Sequence, residues 1–256
     1  MKKPVSILAF TLAILAPTAA TASILNIEGM RKGFDDTPGW SGAFKLDAGG
    51  SSGNTDKFNA ALGVLAQHRR DGAVNLVTFS GDYAETSGSR DTNKQMLHLR
   101  HTQDWKEQVA WEAFTQWQRN EFTSLTRRVL LGGGLRWDLM QPAAKEEGAR
   151  LYLGTGAFAE NQSFRSESDR NAIRANLYLS AVFPVFADSS LSGALYFQPA
   201  FDDPADHRAT AALGFSVPMR ENLSLELSFN VTHDSRPATG VEKTDMEYLT
   251  GIRWSF

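Results

Sequence analysis

A glycine-rich stretch, GGSSGNTDK at residues 49–57, has the composition of a loop that could hold a nucleotide phosphate. Such a loop needs a lysine directly after its last glycine, then serine or threonine, and a helix behind it. Here Gly53 is followed by Asn54, and Lys57 opens a segment that alternates like a β-strand. Glycine and asparagine supply the backbone dihedral angles of a tight hairpin. The stretch is therefore predicted to be a turn between two strands.

His233 and Ser235 have a spacing that could support nucleophilic catalysis. Ser235 would attack, His233 would remove its proton, and a third group would orient the imidazole. The pair is similar to the His-x-Ser arrangement on the lipid face of the outer-membrane phospholipase family. That family has Asn-Gly after the serine, whereas this chain has Arg236 and Pro237, and no orienting residue can be named. We interpret the segment as a polar loop and keep a phospholipase-type hydrolase as the alternative.

The histidines do not show the spacing of a metal site. His98 and His101 lie on one predicted strand with opposite parity, so their side chains point to opposite faces. His68, His207 and His233 lie on other segments. The chain has no cysteine, which excludes thiolate ligands and disulfides. We expect neither a metal nor a cofactor.

Charged and amide residues form the largest set of chemically capable side chains, and they alternate with apolar residues. Arg128, Arg136 and Asp138 share one segment and are predicted to face Glu112 and Gln116 on its neighbour. Such residues either fill a narrow lumen as ion pairs, because buried charges must be paired, or line a pore whose charged rings select solutes. The sequence leaves both possibilities open. The predicted lumen network comprises Lys45, Asp47, Glu112, Gln116, Arg128, Arg136, Asp138, Arg174, Glu226, Glu247 and Arg253.

The elements that carry these residues alternate with period two from Trp40 to the last residue. Roughly twelve such segments of about 10 residues follow one another, each long enough for a tilted strand to cross a bilayer. A soluble periplasmic β-sandwich acting as a binding module would show the same alternation and stays as an alternative. The very polar second face favours a barrel, in which apolar residues meet lipid. We predict an all-β antiparallel transmembrane β-barrel of about 12 strands over residues 40–256.

Loop lengths give the barrel a direction. In outer-membrane barrels the periplasmic turns are short and the outer loops are longer. Five polar stretches are predicted as outer loops: ETSGSRDT, QRNEFTSLT, ENQSFRSESDR, PAFDDPADH and HDSRPATGVEKT. With the first strand running outward, an aromatic belt is expected at the periplasmic strand ends, because these rings favour the membrane interface. Its members are Trp40, Trp105, Trp111, Trp137, Trp254 and Phe256.

The first residues have the pattern of an export signal. Met1-Lys2-Lys3 precedes an apolar run and the small residues around Ala22, so residues 1–22 are predicted to be a signal peptide. Residues 23–39 would then be a periplasmic lead or a plug inside the lumen, and nothing in them decides between the two. The formal net charge is −3, and nothing suggests nucleic acid as a partner. The expected surroundings are the lipid bilayer and lipopolysaccharide of the outer membrane.

Three segments carry a resemblance to a known family: NIEGMR, GWSGAFKLDAGGSSGNT and HDSRPATGVEKTDMEYLTGIRWSF. Together they resemble the YdiY-like family of salt-induced outer membrane proteins, a domain of unknown function. The resemblance implies a barrel in the outer membrane, and its terminal strand ending in Phe256 is of the kind that the barrel-assembly machinery receives. It implies no ligand or reaction and supplies no catalytic residues. We therefore predict a non-enzymatic protein, either a structural barrel of the stressed envelope or a narrow pore for small solutes or ions.

Overall fold

The computed structural model describes residues 38–52, 56–140, 148–186 and 188–256. In these residues twelve antiparallel strands form one closed barrel, with a short 3-10 helix at Glu121–Thr123. No helix among them is long and apolar enough to cross a membrane. The strands are β1 (Gly39–Ser51), β2 (Lys57–Arg70), β3 (Ala73–Thr86), β4 (Ser89–Lys106), β5 (Val109–Asn120), β6 (Leu125–Met140), β7 (Arg150–Phe164), β8 (Arg170–Pro184), β9 (Ser190–Pro199), β10 (His207–Arg220), β11 (Leu223–Asp234) and β12 (Thr244–Ser255).

The first and last strands close the barrel. Phe44 of β1 pairs with Trp254 of β12 in an antiparallel register. Beyond the end of β12, Phe256 and Gly42 exchange two backbone hydrogen bonds of 3.0 Å. Closure satisfies the backbone groups that an open sheet edge would leave free, which is a requirement inside a bilayer. The prediction of a β-barrel of about 12 strands is confirmed, and the alternative of a β-sandwich is wrong.

The two faces of the strands differ as the alternation predicts. Leu131 and Leu213 on the outer face are 68% and 51% exposed, whereas Gln118 and Ser180 on the inner face are each 1% exposed. Successive side chains of a strand point to opposite faces, so one strand can supply both surfaces. An apolar outside and a polar inside suit a barrel surrounded by lipid.

Two outer loops lie within the predicted stretches but are shorter than predicted, because the strands continue into them. ETSGSRDT shrinks to a turn at Ser87 and Gly88, whose positive φ angles of 50° and 78° are of the kind that tight hairpins use. β7 runs on to Phe164, so that Glu160 and Gln162 lie within a strand. Their side chains point into the lumen and accept hydrogen bonds from arginines there. These contacts stabilise the strand although its outward residues are polar.

Some predictions from the N-terminal part and the first hairpin fall on residues that the structure does not describe. The signal peptide at residues 1–22 and nearly all of the lead at 23–39 are outside the described residues. So are Gly53 and Asn54 of the glycine-rich stretch. On either side of them, Ser51 pairs with Lys57, so the stretch connects two adjacent strands of one hairpin.

Candidate functional site: the barrel lumen

Glu160 of β7 is the centre of a buried ion cluster in the half of the lumen away from the chain termini. One carboxylate oxygen, Oε1, accepts hydrogen bonds from Arg128 Nε of β6 and Arg208 Nη1 of β10. The other, Oε2, lies 2.6 Å from Arg174 Nε of β8. The side chain of Glu160 is only 1% exposed. Three positive charges therefore depend on one carboxylate that water does not reach; we call this set the Glu160 cluster.

Further partners complete the charge balance of the Glu160 cluster. Arg174 Nη2 lies 2.9 Å from Asp206 Oδ1, and Arg208 Nε lies 2.8 Å from Asp234 Oδ2. Among the described residues, Arg128 pairs with the carboxylate of Glu160 alone, and its Nη1 donates to Gln118 Oε1 at 2.8 Å. Buried ions are tolerated when they are paired and hydrogen-bonded, and this arrangement meets that condition.

A second cluster surrounds Glu112 of β5 in the other half of the lumen. Glu112 Oε1 lies 3.7 Å from Arg100 Nη1, 3.8 Å from Arg136 Nη1 and 3.1 Å from Thr102 Oγ1. Tyr178 of β8 donates its hydroxyl to Glu112 Oε2 at 2.5 Å. Because β5 and β8 are three strands apart around the ring, this hydrogen bond crosses the lumen instead of following its wall. This set is the Glu112 cluster.

Glycine makes room for Tyr178. Gly154 of β7 is the register partner of Tyr178, and a Cβ built on it would overlap the tyrosine ring. The neighbouring pair Gly134 and Gly156 is equally close, since a Cβ on either would collide with the opposite backbone. The bare backbone of β6 and β7 is therefore the surface on which the inward aromatic ring lies.

Alanine at position 154 is expected to lower the free energy of unfolding by about 1–3 kcal/mol, because the Tyr178 ring must move and its bond to Glu112 is strained. Gly193→Ala is the matched control. Its added Cβ would meet Leu213 Cδ2 at 3.5 Å and Ala212 O at 3.8 Å, both ordinary contacts. It should leave stability unchanged or raise it slightly, because alanine restricts the unfolded chain. Urea unfolding of both variants in lipid vesicles measures the difference, and equal effects would contradict this packing.

A third cluster lies on the side of the lumen formed by β1, β3, β4 and β12. Lys94 Nζ of β4 is 2.5 Å from Glu247 Oε1 of β12 and 3.8 Å from Asp82 Oδ2. Lys45 Nζ is 3.7 Å from Asp47 Oδ2. Glu247, Asp82 and Lys45 side chains are 24%, 19% and 15% exposed, so the members of this Lys94 cluster around Lys94 are wetter than the central carboxylates Glu160 and Glu112, which are 1% and 5% exposed.

All the residues of the predicted lumen network point inward, but the structure distributes them among separate clusters. Arg128 and Arg174 join the Glu160 cluster, whereas Arg136 and Asp138 join the Glu112 cluster through a 2.9 Å contact between Arg136 Nε and Asp138 Oδ1. Lys45, Asp47 and Glu247 belong to the Lys94 cluster. Two further pairs stand apart: Gln116 Oε1 lies 2.9 Å from His98 Nδ1, and Arg253 Nη1 lies 3.9 Å from Glu226 Oε1.

Several residues of the clusters were not predicted from the sequence: Glu160, Arg208, Arg100, Lys94, Asp82 and Tyr178. Their parity would have identified them, because each has the inward parity of its strand. Glu160 was instead assigned to an outer loop, since β7 was the segment with the least clean alternation. Lys94 stands just before the point at which the apolar alternation of β4 begins.

The loop between β11 and β12, residues 235–243, folds over the Glu160 cluster. Ala238 in this loop is only 6% exposed, and a cavity of about 50 Å³ separates the loop from Arg128 and Arg208. Glu167 of the β7–β8 loop accepts a hydrogen bond from the backbone N–H of Thr239. Hydrogen bonds from Thr239, together with Arg170, lower the pKa of the Glu167 carboxyl. The loop is thereby anchored to a neighbouring loop.

His233 and Ser235 are not joined as a catalytic pair. His233 Nδ1 lies 2.9 Å from Thr244 Oγ1. Ser235 Oγ accepts a hydrogen bond of 2.8 Å from the backbone N–H of His207. Activation of a serine requires its hydroxyl to donate to the imidazole. These contacts therefore give no support to the phospholipase-type alternative.

The residues of the predicted aromatic belt lie near the rim where β1 begins and β12 ends. Several are well exposed on the outer face, with Trp40 at 76% and Trp105 at 59%. The ring centroids of Trp254 and Phe256 are 5.2 Å apart. The remaining members of the set occupy the same ends of their strands: Trp111 at the start of β5 and Trp137 near the end of β6.

A closed antiparallel barrel with an apolar outer face and an ion-paired interior is the architecture of outer-membrane β-barrel proteins. The chain is a barrel of this class. It belongs to the family described as "Protein of unknown function, DUF481", whose model matches residues 46–256. The resemblance to the YdiY-like proteins is thus confirmed at the level of the family. None of the curated proteins matches the chain significantly.

Solved structures share the fold at low sequence identity. The NanC porin is 10% identical with a TM-score of 0.52, covering 84% of this chain and 98% of its own. The translocator domain of the autotransporter NalP from Neisseria meningitidis is 10% identical with a TM-score of 0.50, covering 86% of this chain and 90% of its own. At this identity the likeness concerns the barrel fold alone.

Proposed function

We propose that the protein is exported by the signal sequence at residues 1–22 and works in the outer membrane as a structural barrel with a filled lumen. The Glu160 cluster carries this proposal. A carboxylate that is 1% exposed binds arginines from β6, β8 and β10, so ion pairs occupy this part of the interior. The Glu112 cluster adds a hydrogen bond across the lumen. Such a barrel has no enzymatic role.

The surroundings of such a barrel follow from its surface. The apolar outer face contacts the lipid bilayer, and the outer rim contacts lipopolysaccharide. The last strand is the one that the barrel-assembly machinery would receive, and Phe256 then completes closure through its two backbone hydrogen bonds to Gly42. Outer-membrane location is testable by fractionation, where heat-modifiable migration on gels accompanies a closed barrel.

A narrow pore for small solutes or ions is the second candidate, favoured by the Lys94 cluster. Its carboxylates Asp82 and Glu247 stay 19% and 24% exposed, whereas Glu160 is 1% exposed. Any passage would run along β1, β3, β4 and β12, past these charges. The NanC barrel, which shares the fold, is named a porin.

Single-channel recording of the refolded protein in a planar bilayer separates the two candidates. A structural barrel is expected to give no conductance steps under moderate voltage, because ion pairs fill its interior. A pore along the Lys94 cluster would give steps whose ion selectivity changes in Glu247→Gln. Glu242→Gln, in the exposed β11–β12 loop, is the control for a remote charge. Conductance steps whose ion selectivity changes in Glu247→Gln but not in Glu242→Gln would contradict the structural barrel and support the pore.

A further inference from the structure

An unusual group of arginines lies on the outside of the barrel, at the rim away from the chain termini. Gln118 pairs with Arg128 and Asn120 with Leu125, so the strands β5 and β6 bulge between these two pairs. Across this bulge Arg119 faces the two residues Thr126 and Arg127, and both arginines are exposed. Like charges placed opposite each other on paired strands are destabilising. Folding alone gives no reason for this arrangement.

Arg165 of the β7–β8 loop extends the group. Its backbone N–H donates to Ser124 O at 2.8 Å, which ties this loop to the β5–β6 connection. A cavity of about 280 Å³ lies between them, and its lining includes Trp117, Arg119, Glu121, Ser124 and Arg165. We call Arg119, Arg127 and Arg165 the rim arginines.

The positive charge of the rim arginines is only partly offset by the protein, since Glu121 is the one carboxylate in the described lining of the cavity. Within the part of the chain that the structure describes, none of the three forms an ion pair. Arg127 Nη2 donates only to neutral groups, Asn161 Oδ1 at 2.9 Å and Ser163 Oγ at 3.2 Å. Glu121 lines the cavity and is attracted by Arg119 and Arg165, but its carboxylate is already engaged by Arg90 Nη1 at 3.3 Å and Asn93 Nδ2 at 2.8 Å. Three guanidinium groups against one engaged carboxylate leave this part of the rim positively charged, which suits the binding of an anion.

Trp117 gives the depth of the cavity in the membrane. Its ring favours the boundary between hydrocarbon and headgroups. Arg119 lies two residues further along the same face, about 7 Å closer to the rim and therefore at the level of the headgroups. Leu97, paired with Trp117, and Leu131 are exposed on the same outer surface at 37% and 68%. Acyl chains can lie against these leucines while an anionic headgroup reaches the arginines.

We propose that the rim arginines bind the phosphate groups of an outer-leaflet lipid, that is, a phosphorylated lipopolysaccharide anchor. Arginine is suited to this task because its planar guanidinium pairs with phosphate oxygens through two parallel hydrogen bonds. The proposal rests on the barrel lying in an outer membrane with its termini on the periplasmic side. It does not depend on whether the lumen conducts, so the bilayer recordings and the lipid-binding test can fail separately.

Native mass spectrometry of the detergent-solubilised full chain tests the proposal with purified lipid A that carries both phosphates, and with the same lipid after phosphate removal. The phosphorylated lipid is expected to bind at least about tenfold more tightly, and the double variant Arg119→Gln with Arg165→Gln should lose this preference. Arg220→Gln, an exposed arginine at the opposite rim, should retain it. Heat-modifiable migration shows that each variant is folded.

Three outcomes would overturn the proposal. One is equal binding of the two lipids by the unchanged protein. Another is an undiminished phosphate preference in the double variant. The third is displacement of lipid A by inorganic phosphate at similar concentrations, because this would assign the cavity to a soluble phosphate. Loss of the preference only in the rim-arginine variant supports the lipid site.

Discussion

Replacement of Glu160 by glutamine is expected to lower the free energy of unfolding by about 3–5 kcal/mol, the range for removing one partner of a buried ion pair. The amide keeps the size of the side chain but loses its charge, and its NH₂ group would face arginine N–H donors. Arg174 and Arg208 keep Asp206 and Asp234 as partners. Arg128 keeps only the neutral Gln118, so most of the loss arises at this residue.

Glu247→Gln is the matched control, because it makes the same chemical change in the wetter Lys94 cluster. The Glu247 side chain is 24% exposed, and Lys94 retains Asp82 at 3.8 Å. Water can solvate the Lys94 ammonium group in this variant, so the free energy of unfolding should fall by less than about 1 kcal/mol. Both variants are compared by urea unfolding in lipid vesicles, followed by tryptophan fluorescence. A small loss in Glu160→Gln would mean that water reaches the Glu160 cluster, which would support an open lumen.

The barrel and its faces were predictable from the sequence because period-two alternation determines which side chains share a surface. The alternation around Leu131 and Leu213 assigned both correctly to the outside. Contacts between neighbouring strands could also be anticipated, as in the pairing of Gln118 with Arg128, because they follow from the hairpin register. These predictions need only local information along one strand or one hairpin.

Contacts across the lumen could not be predicted in the same way. Tyr178 reaches Glu112 over three strand positions, and Lys94 reaches Glu247 over four. Which residues meet across the lumen depends on how far each strand is shifted relative to its neighbour, summed over all hairpins between the two strands. Glu160 was missed for a different reason: its strand continues where outward residues become polar, and only the inward arginines explain why. Parity alone could have placed Glu160 on the inner face, but not at the point where arginines of β6, β8 and β10 meet.

The outer face is expected to be sensitive to charge in proportion to depth in the membrane. Leu131 lies in the middle of β6 and is 68% exposed. Leu139 lies near the end of the same strand, at the rim where β12 also ends, and is 54% exposed. Leu131→Arg should cost about 2–4 kcal/mol, because a guanidinium near the bilayer midplane must be dehydrated or must draw water inward. Leu139→Arg should cost only about 0–1 kcal/mol, because its charge reaches the interface.

Arginine at the adjacent inward position 132 would not be a matched comparison. A Cβ at Gly132 would already collide with Phe158, so its cost would reflect packing and not depth. Leu131 and Leu139 instead share strand, face and residue type, so that depth is the main difference between them. Unfolding in vesicles of thin and thick bilayers measures both costs. Equal costs at the two positions would contradict the assigned depth, and with it the membrane-spanning position of β6.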